Sequence, residues 1–475
     1  MLDHFFNIII IYKAQSVSPY LNLLSAGVHL RGFICLASGK PVLGSVDTMR
    51  IHLKTLGCRL NEAEVETWSR DFQALGHQII NDPTIADLVV VNTCAVTAEA
   101  VRKSRKLMHR AHRDNPAAKL VVSGCSASLD PGETTRTMGV DLVVDNRDKD
   151  RLVEIASREL DLHTLPERAT LPAEHSLLSR GRQRAFVKIQ DGCRYQCTFC
   201  IVTIARGDER SRPVNDIITE INRLHRQGIQ EVVLSGVHIG GYGSDCGSSL
   251  AQLVSQILAA TDVPRLRLGA VEPWDLTKDF WSLFADSRFM PHLHLPLQSG
   301  SDTVLRRMAR RCKRSEFEQL VVQARRQIED FNLTTDLIVG FPGETEEEWQ
   351  QTKDFVKTIG FGHLHIFAYS PRPGTRAASL PDPVPRETVR ARSQELHELG
   401  KKLKRQTLER YVGRSFPVLI EGRQKDTDGA WSGYTPNFLK IAIIGQESGQ
   451  LENHIREVRL QGLAENGELL LGHLA

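Results

Sequence analysis

Strand-like and helical stretches alternate along most of this chain, and that alternation limits its fold more than any other feature. Strand patterns lie over Arg50–Leu56, Asp87–Asn92, Lys119–Ser123 and Asp141–Asp145. Helical patterns lie over Asn61–Leu75, Thr97–Arg113, Pro131–Met138 and Asp148–Leu160. A βαβαβαβα order predicts a parallel, doubly wound sheet. Cys58, Cys94 and Cys125 each follow one of these strands directly. In a parallel sheet such positions share the carboxyl edge, where ligands bind. One such cysteine is an ordinary small buried hydrophobe. Three at the same topological position, two of them after a glycine, look like thiolates assembled to hold one centre.

A second set of cysteines follows the strand pattern Phe186–Gln190. The run Asp191-Gly-Cys193-Arg-Tyr-Gln-Cys197-Thr-Phe-Cys200 spaces its thiols as Cys-x3-Cys-x2-Cys. A loop with these separations can wrap three thiolates around one corner of a cubic cluster. Structural zinc sites want four ligands, and no fourth cysteine or histidine is local. Ferredoxin runs supply four cysteines for electron transfer. Three ligands leave one iron open to a substrate or cofactor. Further strand patterns follow over Glu231–Ser235, Arg265–Val271, His292–Leu297, Leu333–Val339 and His363–Tyr369, separated by helices such as Val214–Arg226, Leu250–Ala260, Phe317–Glu329 and Glu346–Thr358. Six parallel strand–helix units predict a partial barrel with its active site at the carboxyl mouth.

The net charge of +3 excludes a protein that coats nucleic acid by bulk charge, but the cations are grouped. One group, Arg102, Lys103, Arg105, Lys106, Arg110 and Arg113, lies on the second helix, and within Val101–Arg113 no acid accompanies it. It reads either as a solvated face or as a surface for a polyanion. A second is the run Arg306, Arg307, Arg310, Arg311, Lys313 and Arg314. A third lies on the helical stretch Arg386–Arg410, with Lys401, Lys402, Lys404 and Arg405, after the proline-rich linker Pro371–Pro385. Short strands over Phe416–Glu421, Phe438–Ile444 and His454–Leu460, with turns at Asp428-Gly429 and Ser448-Gly449, predict a small β-barrel. Such a barrel serves as a structural cap or as a binder of oligonucleotides.

The chain is thus expected to be an α/β multidomain protein. Its parts are a doubtful extension over 1–48, a parallel βα domain over 49–165, a partial (β/α) barrel with linker and basic helix over 183–410, and a small β-barrel over 411–475. The extension is sparse in charge and is expected to be disordered or to precede the true initiator, Met49. Its apolar run Phe5–Tyr12 is shorter than the ~20 residues that span a bilayer, and no basic residue precedes it. Nine cysteines are too few for a disulfide scaffold, which favours a reducing, cytoplasmic compartment. Cys35, Cys246 and Cys312 match no motif.

The chain resembles the radical S-adenosylmethionine (SAM) methylthiotransferase family from Met49 to its end. Besides both cysteine sets, the matching stretches are Gly236-Val-His-Ile-Gly-Gly-Tyr-Gly243, Leu295-Pro-Leu-Gln-Ser-Gly-Ser301, Thr335-Asp-Leu-Ile-Val-Gly-Phe-Pro-Gly-Glu-Thr345 and Tyr369-Ser-Pro-Arg-Pro-Gly-Thr375. The resemblance implies a 4Fe-4S cluster on Cys193, Cys197 and Cys200 that binds SAM, and a second, auxiliary 4Fe-4S cluster on Cys58, Cys94 and Cys125. It implies SAM contacts at Ser235, Gly236, Gln298, Ser299, Gly340 and Glu344, with Glu272 as a polar pocket residue. It also implies a C-terminal TRAM domain that binds tRNA.

The stretches Leu56-Gly-Cys58-Arg-Leu-Asn-Glu62, Asn92-Thr-Cys94-Ala-Val-Thr-Ala98 and Lys103-Ser-Arg105 resemble the branch acting on N6-threonylcarbamoyladenosine in tRNA. Gly124-Cys125-Ser-Ala-Ser lacks the aromatic and glutamine common there. The implied reaction places a methylthio group at C2 of that nucleoside, where an unactivated aromatic C–H demands radical chemistry beyond side-chain acids and bases. An external electron donor and sulfur source are implied, with no membrane, and a monomer or weak dimer is expected. Alternatives are methylthiolation of isopentenyladenosine or of a ribosomal-protein aspartate, and a noncatalytic iron–sulfur protein that binds tRNA.

Overall fold

A computed structural model describes residues 48–162, 183–423, 429–445 and 450–475. The expectations placed on residues 1–47, including the Phe5–Tyr12 run and Cys35, lie outside the described residues, as do Asp428 and the Ser448-Gly449 turn.

The first part is a five-stranded sheet in the order β2-β1-β3-β4-β5, parallel throughout. Its strands are β1 (Arg50–Thr55), β2 (Gln78–Ile79), β3 (Leu88–Thr93), β4 (Lys119–Gly124) and β5 (Leu142–Val144). The helices are α1 (Arg59–Ala74), α2 (Ala98–Asp114), α3 (Cys125–Leu129), α4 (Pro131–Arg136) and α5 (Leu152–Glu159). β3 is apolar on both faces because both are covered. Leu88 and Val90 join Trp68 and Phe72 of α1 and Leu152 of α5. Val89 and Val91 join Met108 and Ala111 of α2. The doubly wound expectation holds. Sequence reading missed the two-residue edge strand β2 and the short helix α3, neither long enough to show a period.

The central part contains β6 (Arg184–Lys188), β7 (Gln190–Asp191), β8 (Arg210–Ser211), β9 (Glu231–Ser235), β10 (Arg265–Leu268), β11 (His292–His294), β12 (Asn332–Val339) and β13 (His363–Ala368). β10-β9-β6 and β11-β12-β13 form two parallel sheets, linked by isolated parallel bridges Leu266↔Phe289 and Ala270↔His294. The helices are α6 (Val202–Arg206), α7 (Val214–Arg226), α8 (Leu250–Ala260), α9 (Asp302–Arg307), α10 (Arg314–Gln327), α11 (Glu346–Ile359) and α12 (Arg386–Glu409). Alternate strand residues, among them Val187, Leu234, Leu266, Leu293 and Leu337, pack with helix residues such as Ile221, Leu253, Phe317 and Phe355. The period of two turns the intervening residues to the opposite face, which is strongly polar. It carries Arg184, Lys188, Glu231, Arg265, Arg267, His292, His294, Asp336, His363 and His365.

The last part is a closed barrel of β14 (Ser415–Arg423), β15 (Trp431–Tyr434), β16 (Lys440–Ile443), β18 (Leu470–Leu474) and β17 (Ile455–Leu463). Three strand patterns were legible here; β15 and β18 were not. The barrel rests against the amino ends of the central strands. Arg265 Nη1 donates to the Tyr434 carbonyl and Arg267 Nη1 to that of Pro436, both at 3.0 Å, and Asn332 donates to the Asn437 carbonyl at 2.8 Å. Glu231, wholly buried, pairs with Arg267 at 3.1 Å and with Arg265 and Arg184 at 3.7 and 3.8 Å. Burial opposes its charge, but the guanidinium groups of Arg267, Arg184 and Arg265 hold the carboxyl below its ordinary range. No helix among the described residues is long and apolar enough to cross a membrane.

Candidate iron–sulfur and SAM site

The tertiary structure brings Cys58, Cys94 and Cys125 together. Cys58 caps the amino end of α1, Cys94 follows the last residue of β3, and Cys125 opens α3. Gly57 and Gly124 sit at φ +102° and +97°, conformations that L side chains rarely adopt. A Cβ at Gly57 would lie 2.5 Å from the Cys94 sulfur, and one at Gly124 2.3 Å from the Thr93 carbonyl. Glycine is required here because the strand ends approach each other so closely. Burial pushes the Cys94 thiol up to about 11, and Cys58 and Cys125 add to the rise. A thiolate is therefore unfavourable there without a cation to bind it.

The second triad lies on the loop between β7 and α6. Thr198 anchors it, its N–H donating to the Met308 carbonyl at 3.0 Å and its hydroxyl to that of Arg307 at 2.9 Å. Burial above all, with neighbouring cysteines of the triad contributing, pushes Cys193 up to about 12 and Cys200 up to about 11. All six cysteines of the two sets are free. Potential ligand atoms of Glu209 and His238 lie within 4.8 Å of the Cys193 sulfur and of each other. Both nitrogens of His238 are already held, Nδ1 by Glu209 and Nε2 by Asp275, each at 2.5 Å. Burial works against a charged ring, yet Asp275 and Glu209 raise its pKa above the ordinary value. His238 is thus a poor fourth ligand, and three sulfurs with one open position suit a cubane that accepts an outside chelator.

Arg206, at the end of α6, connects the two sets. It is buried, with Nη1 on Glu64 at 2.8 Å and on Asp191 at 2.9 Å, Nη2 on Asn61 at 2.9 Å, and Nε on the Cys125 sulfur at 3.4 Å. Lys149 and Lys188 complete the cluster, pairing with Glu64 at 2.7 Å and Asp191 at 2.9 Å. Burial opposes ionisation of Glu64, but Arg206, Lys149 and Lys188 hold it down to about 2. Lys188 also pairs with the exposed Asp150 at 2.7 Å, so three cations meet three carboxylates. Arg206, the cation bonded to the Cys125 sulfur, favours a thiolate there.

The expected SAM contacts divide. Glu272 lies at the cysteine loop: Arg310 bonds it at 3.0 and 2.5 Å and reaches the Cys197 sulfur at 3.9 Å. Ser235 ends β9, and Gly236 packs closely on Gln190, where a Cβ would lie 2.9 Å from the carbonyl oxygen. Gln298 holds φ +74°, uncommon for a residue with a Cβ, and bridges β12 at Leu337. The side chains of Ser299 and Glu344 face neighbouring helices. The Ser299 hydroxyl bonds Thr352 of α11 at 3.2 Å. Glu344 takes hydrogen bonds from Gly340 N–H and from Arg392 of α12, both at 3.0 Å.

The basic groups also change meaning. Arg102 and Lys103 pair with Glu99, Arg105 with Glu133, and Arg110 and Arg113 with Asp114. Three acids just outside the segment, Glu99, Asp114 and Glu133, thus offset part of the charge of these cations. Exposed pairs of this kind are weak and yield to a polyanion. Lys106 is exposed. Lys401, Lys402 and Arg405 are exposed on α12, whereas Lys404 is tied to Glu468 of the last barrel at 2.5 Å. Arg310 is turned inward and leaves its surface run; its side chain is 3% exposed.

Arg206, Arg310, His238, Glu209 and Asp275 were not singled out as site residues from sequence. His238 lies inside the Gly236–Gly243 stretch, but nothing local marks the others, whose partners are distant in the chain.

The radical SAM superfamily pattern matches residues 187–356, and that of uncharacterized protein family UPF0004 matches residues 50–145. The chain is 34% identical over 422 residues to a threonylcarbamoyladenosine tRNA methylthiotransferase of Thermotoga maritima, covering 88% of this chain and 95% of that one. The corresponding Chlamydia pneumoniae protein is 35% identical over 427 residues, covering 89% and 97%. A tRNA-2-methylthio-N(6)-dimethylallyladenosine synthase of Pseudothermotoga lettingae is 31% identical over 421 residues, covering 86% and 96%. Among solved structures, the radical S-adenosylmethionine methyltransferase TsrM of Kitasatospora setae aligns with TM-score 0.54 at 16% identity, over 70% of this chain and 77% of that one, a likeness of fold.

Proposed function

Because this chain belongs to the family of radical SAM tRNA methylthiotransferases, we propose that it places a methylthio group at C2 of N6-threonylcarbamoyladenosine in tRNA, using SAM and two 4Fe-4S clusters. The observation that carries the reading is the buried arginine between the two sets: Arg206 bonds the Cys125 sulfur of one and Asp191, two residues before Cys193, of the other. Cys193, Cys197 and Cys200 would hold one cluster, and Cys58, Cys94 and Cys125 the other. Bound there, such clusters supply one-electron reduction of SAM and a place to hold sulfur; the electron and the sulfur come from outside partners.

The chain's own residues do the rest. Glu272, oriented by Arg310, places a carboxylate beside the first set. Thr198 fixes the loop that carries that set. The buried cations Arg206, on the Cys125 sulfur, and Lys149, whose charge acts on Cys125, stabilise negative charge at the second. The domains fall at 49–165, 183–410 and 411–475, with β6 and β9–β13 as one six-stranded partial barrel that shields reactive species from water. The last barrel, α12 and the face of α2 would contact tRNA.

The test is mass spectrometry of tRNA nucleosides from a strain lacking the gene, before and after it is restored. Loss and return of the 2-methylthio form of threonylcarbamoyladenosine supports the reading; an unchanged level overturns it.

A further inference from the structure

The polar face of β11, β12 and β13 carries a histidine cluster that neither triad uses. The rings of His294 and His365 lie 5.3 Å apart, and those of His363 and His365 4.7 Å apart. His294 Nε2 meets Asp336 at 3.2 Å, and parallel register sets Asp336 beside His365. Burial, and then the adjacent histidine, lowers the pKa of both His363 and His365, so these rings are neutral N–H donors at neutral pH.

One cation from the first part of the chain reaches this face. Arg59, next to Cys58, has its guanidinium 5.1 Å from the centre of the Phe186 ring on β6, and its charge acts on His365 of β13. Phe186 alternates with the core residues Ala185 and Val187, so Arg59 stands over the same inner face of the central strands that carries His365 and Asp336. Both of its hydrogen bonds, to the two oxygens of Glu62 at 3.2 and 3.1 Å, leave from Nη1. The Nε–Nη2 edge, which can grip a carboxylate with two parallel bonds, has no partner among the described residues. The side chain is 69% exposed.

We infer that Arg59, His365 and Asp336 form a subsite for the threonyl arm of the modified adenosine, with the arm's carboxylate on the free edge of Arg59. This rests on the reading proposed above and deepens it. His365 adds a neutral donor to the carboxylate, and Asp336 accepts from the arm's hydroxyl or urea N–H. An isopentenyl group offers no partner to any of them. The acid therefore gains contacts here that the apolar modification cannot make, and that difference in contacts is the discrimination.

The test compares binding of three anticodon stem-loop RNAs to the reconstituted protein by fluorescence anisotropy. They carry threonylcarbamoyladenosine, its carboxylate methyl ester, or unmodified adenosine. The native protein is expected to bind the acid about tenfold more tightly than the ester, the loss typical of one charge-assisted contact. Arg59→Gln should bind acid and ester equally while retaining its iron content and its affinity for the unmodified RNA. His365→Leu, on a strand remote from the Cys58 loop, should lose part of the preference and guards against damage to that loop. Retention of the full preference in both variants overturns the subsite. A native protein that prefers the modified RNAs but treats acid and ester alike also overturns it, leaving the substrate reading in place. No preference for either modified RNA over the unmodified one overturns both.

Discussion

Arg206 Nε donates to the Cys125 sulfur at 3.4 Å, joining the helix that follows the loop of one cysteine set to the first helical residue of the other. The same guanidinium neutralises Glu64 and Asp191, which burial would otherwise keep from ionising. The joint between the first sheet and the central strands is therefore electrostatic at its centre, and its parts depend on one another.

Arg206→Gln leaves both carboxylates short of a buried partner. Breaking such a pair typically costs about 3–5 kcal/mol. Urea unfolding should show a loss of that order, and Arg206→Lys, which keeps the charge without the fork, should lose less.

The two cysteine sets make separable contributions. Cys197→Ala should abolish reductive SAM cleavage under anaerobic conditions. Cys94→Ala should spare much of that cleavage and stop methylthiolation. In each variant, iron per chain should fall from about eight atoms to about four. Full methylthiolation by Cys94→Ala would sink the two-cluster mechanism.

Glu231 is the only acid among the described residues that pairs with all of Arg184, Arg265 and Arg267. Glu231→Gln should destabilise the contact between the central strands and the last barrel by about 3 kcal/mol. Hydrogen exchange should rise in β14 and β15 before it rises in the first sheet.

His363 yields a pH prediction. Burial, with His365 and Lys404 nearby, lowers its pKa from 6.5 to about 4. Above pH ~6.5 it is neutral in both states and contributes nothing to pH dependence. Between ~6.5 and ~4 the unfolded chain takes up a proton that the folded one refuses, so stability falls as pH falls, by at most about 3 kcal/mol, and levels off below. His363→Gln should flatten that part of the stability curve.

Lys401, Lys402 and Arg405 should contact phosphate, and Lys404 should not. Replacing the three by alanine should reduce the slope of log K against log salt for tRNA by about 2, at ~0.7–0.9 per contact. Lys404→Ala should leave the slope in place and loosen α12 from the last barrel.

Much of the scaffold was legible in short stretches of sequence. Cys-x3-Cys-x2-Cys after a strand, the glycines before Cys58 and Cys125, and the two-sided apolar run of β3 are local patterns, set within a few residues by backbone geometry and burial. They determined a parallel βα chain with two three-thiol sites. β2 and α3 escaped because so few residues show no period, and β15 (Trp-Ser-Gly-Tyr) and β18 (Leu-Leu-Gly-His-Leu) because neither alternates apolar with polar residues. The charged side chains were decided only by tertiary structure. Arg206 meets Glu64 across 142 residues, Lys404 meets Glu468 across 64, and Arg310 leaves a basic run to hold Glu272. A charge in a sequence has no direction; its partner is chosen by where burial would otherwise leave it alone, and that is known only once the chain has folded.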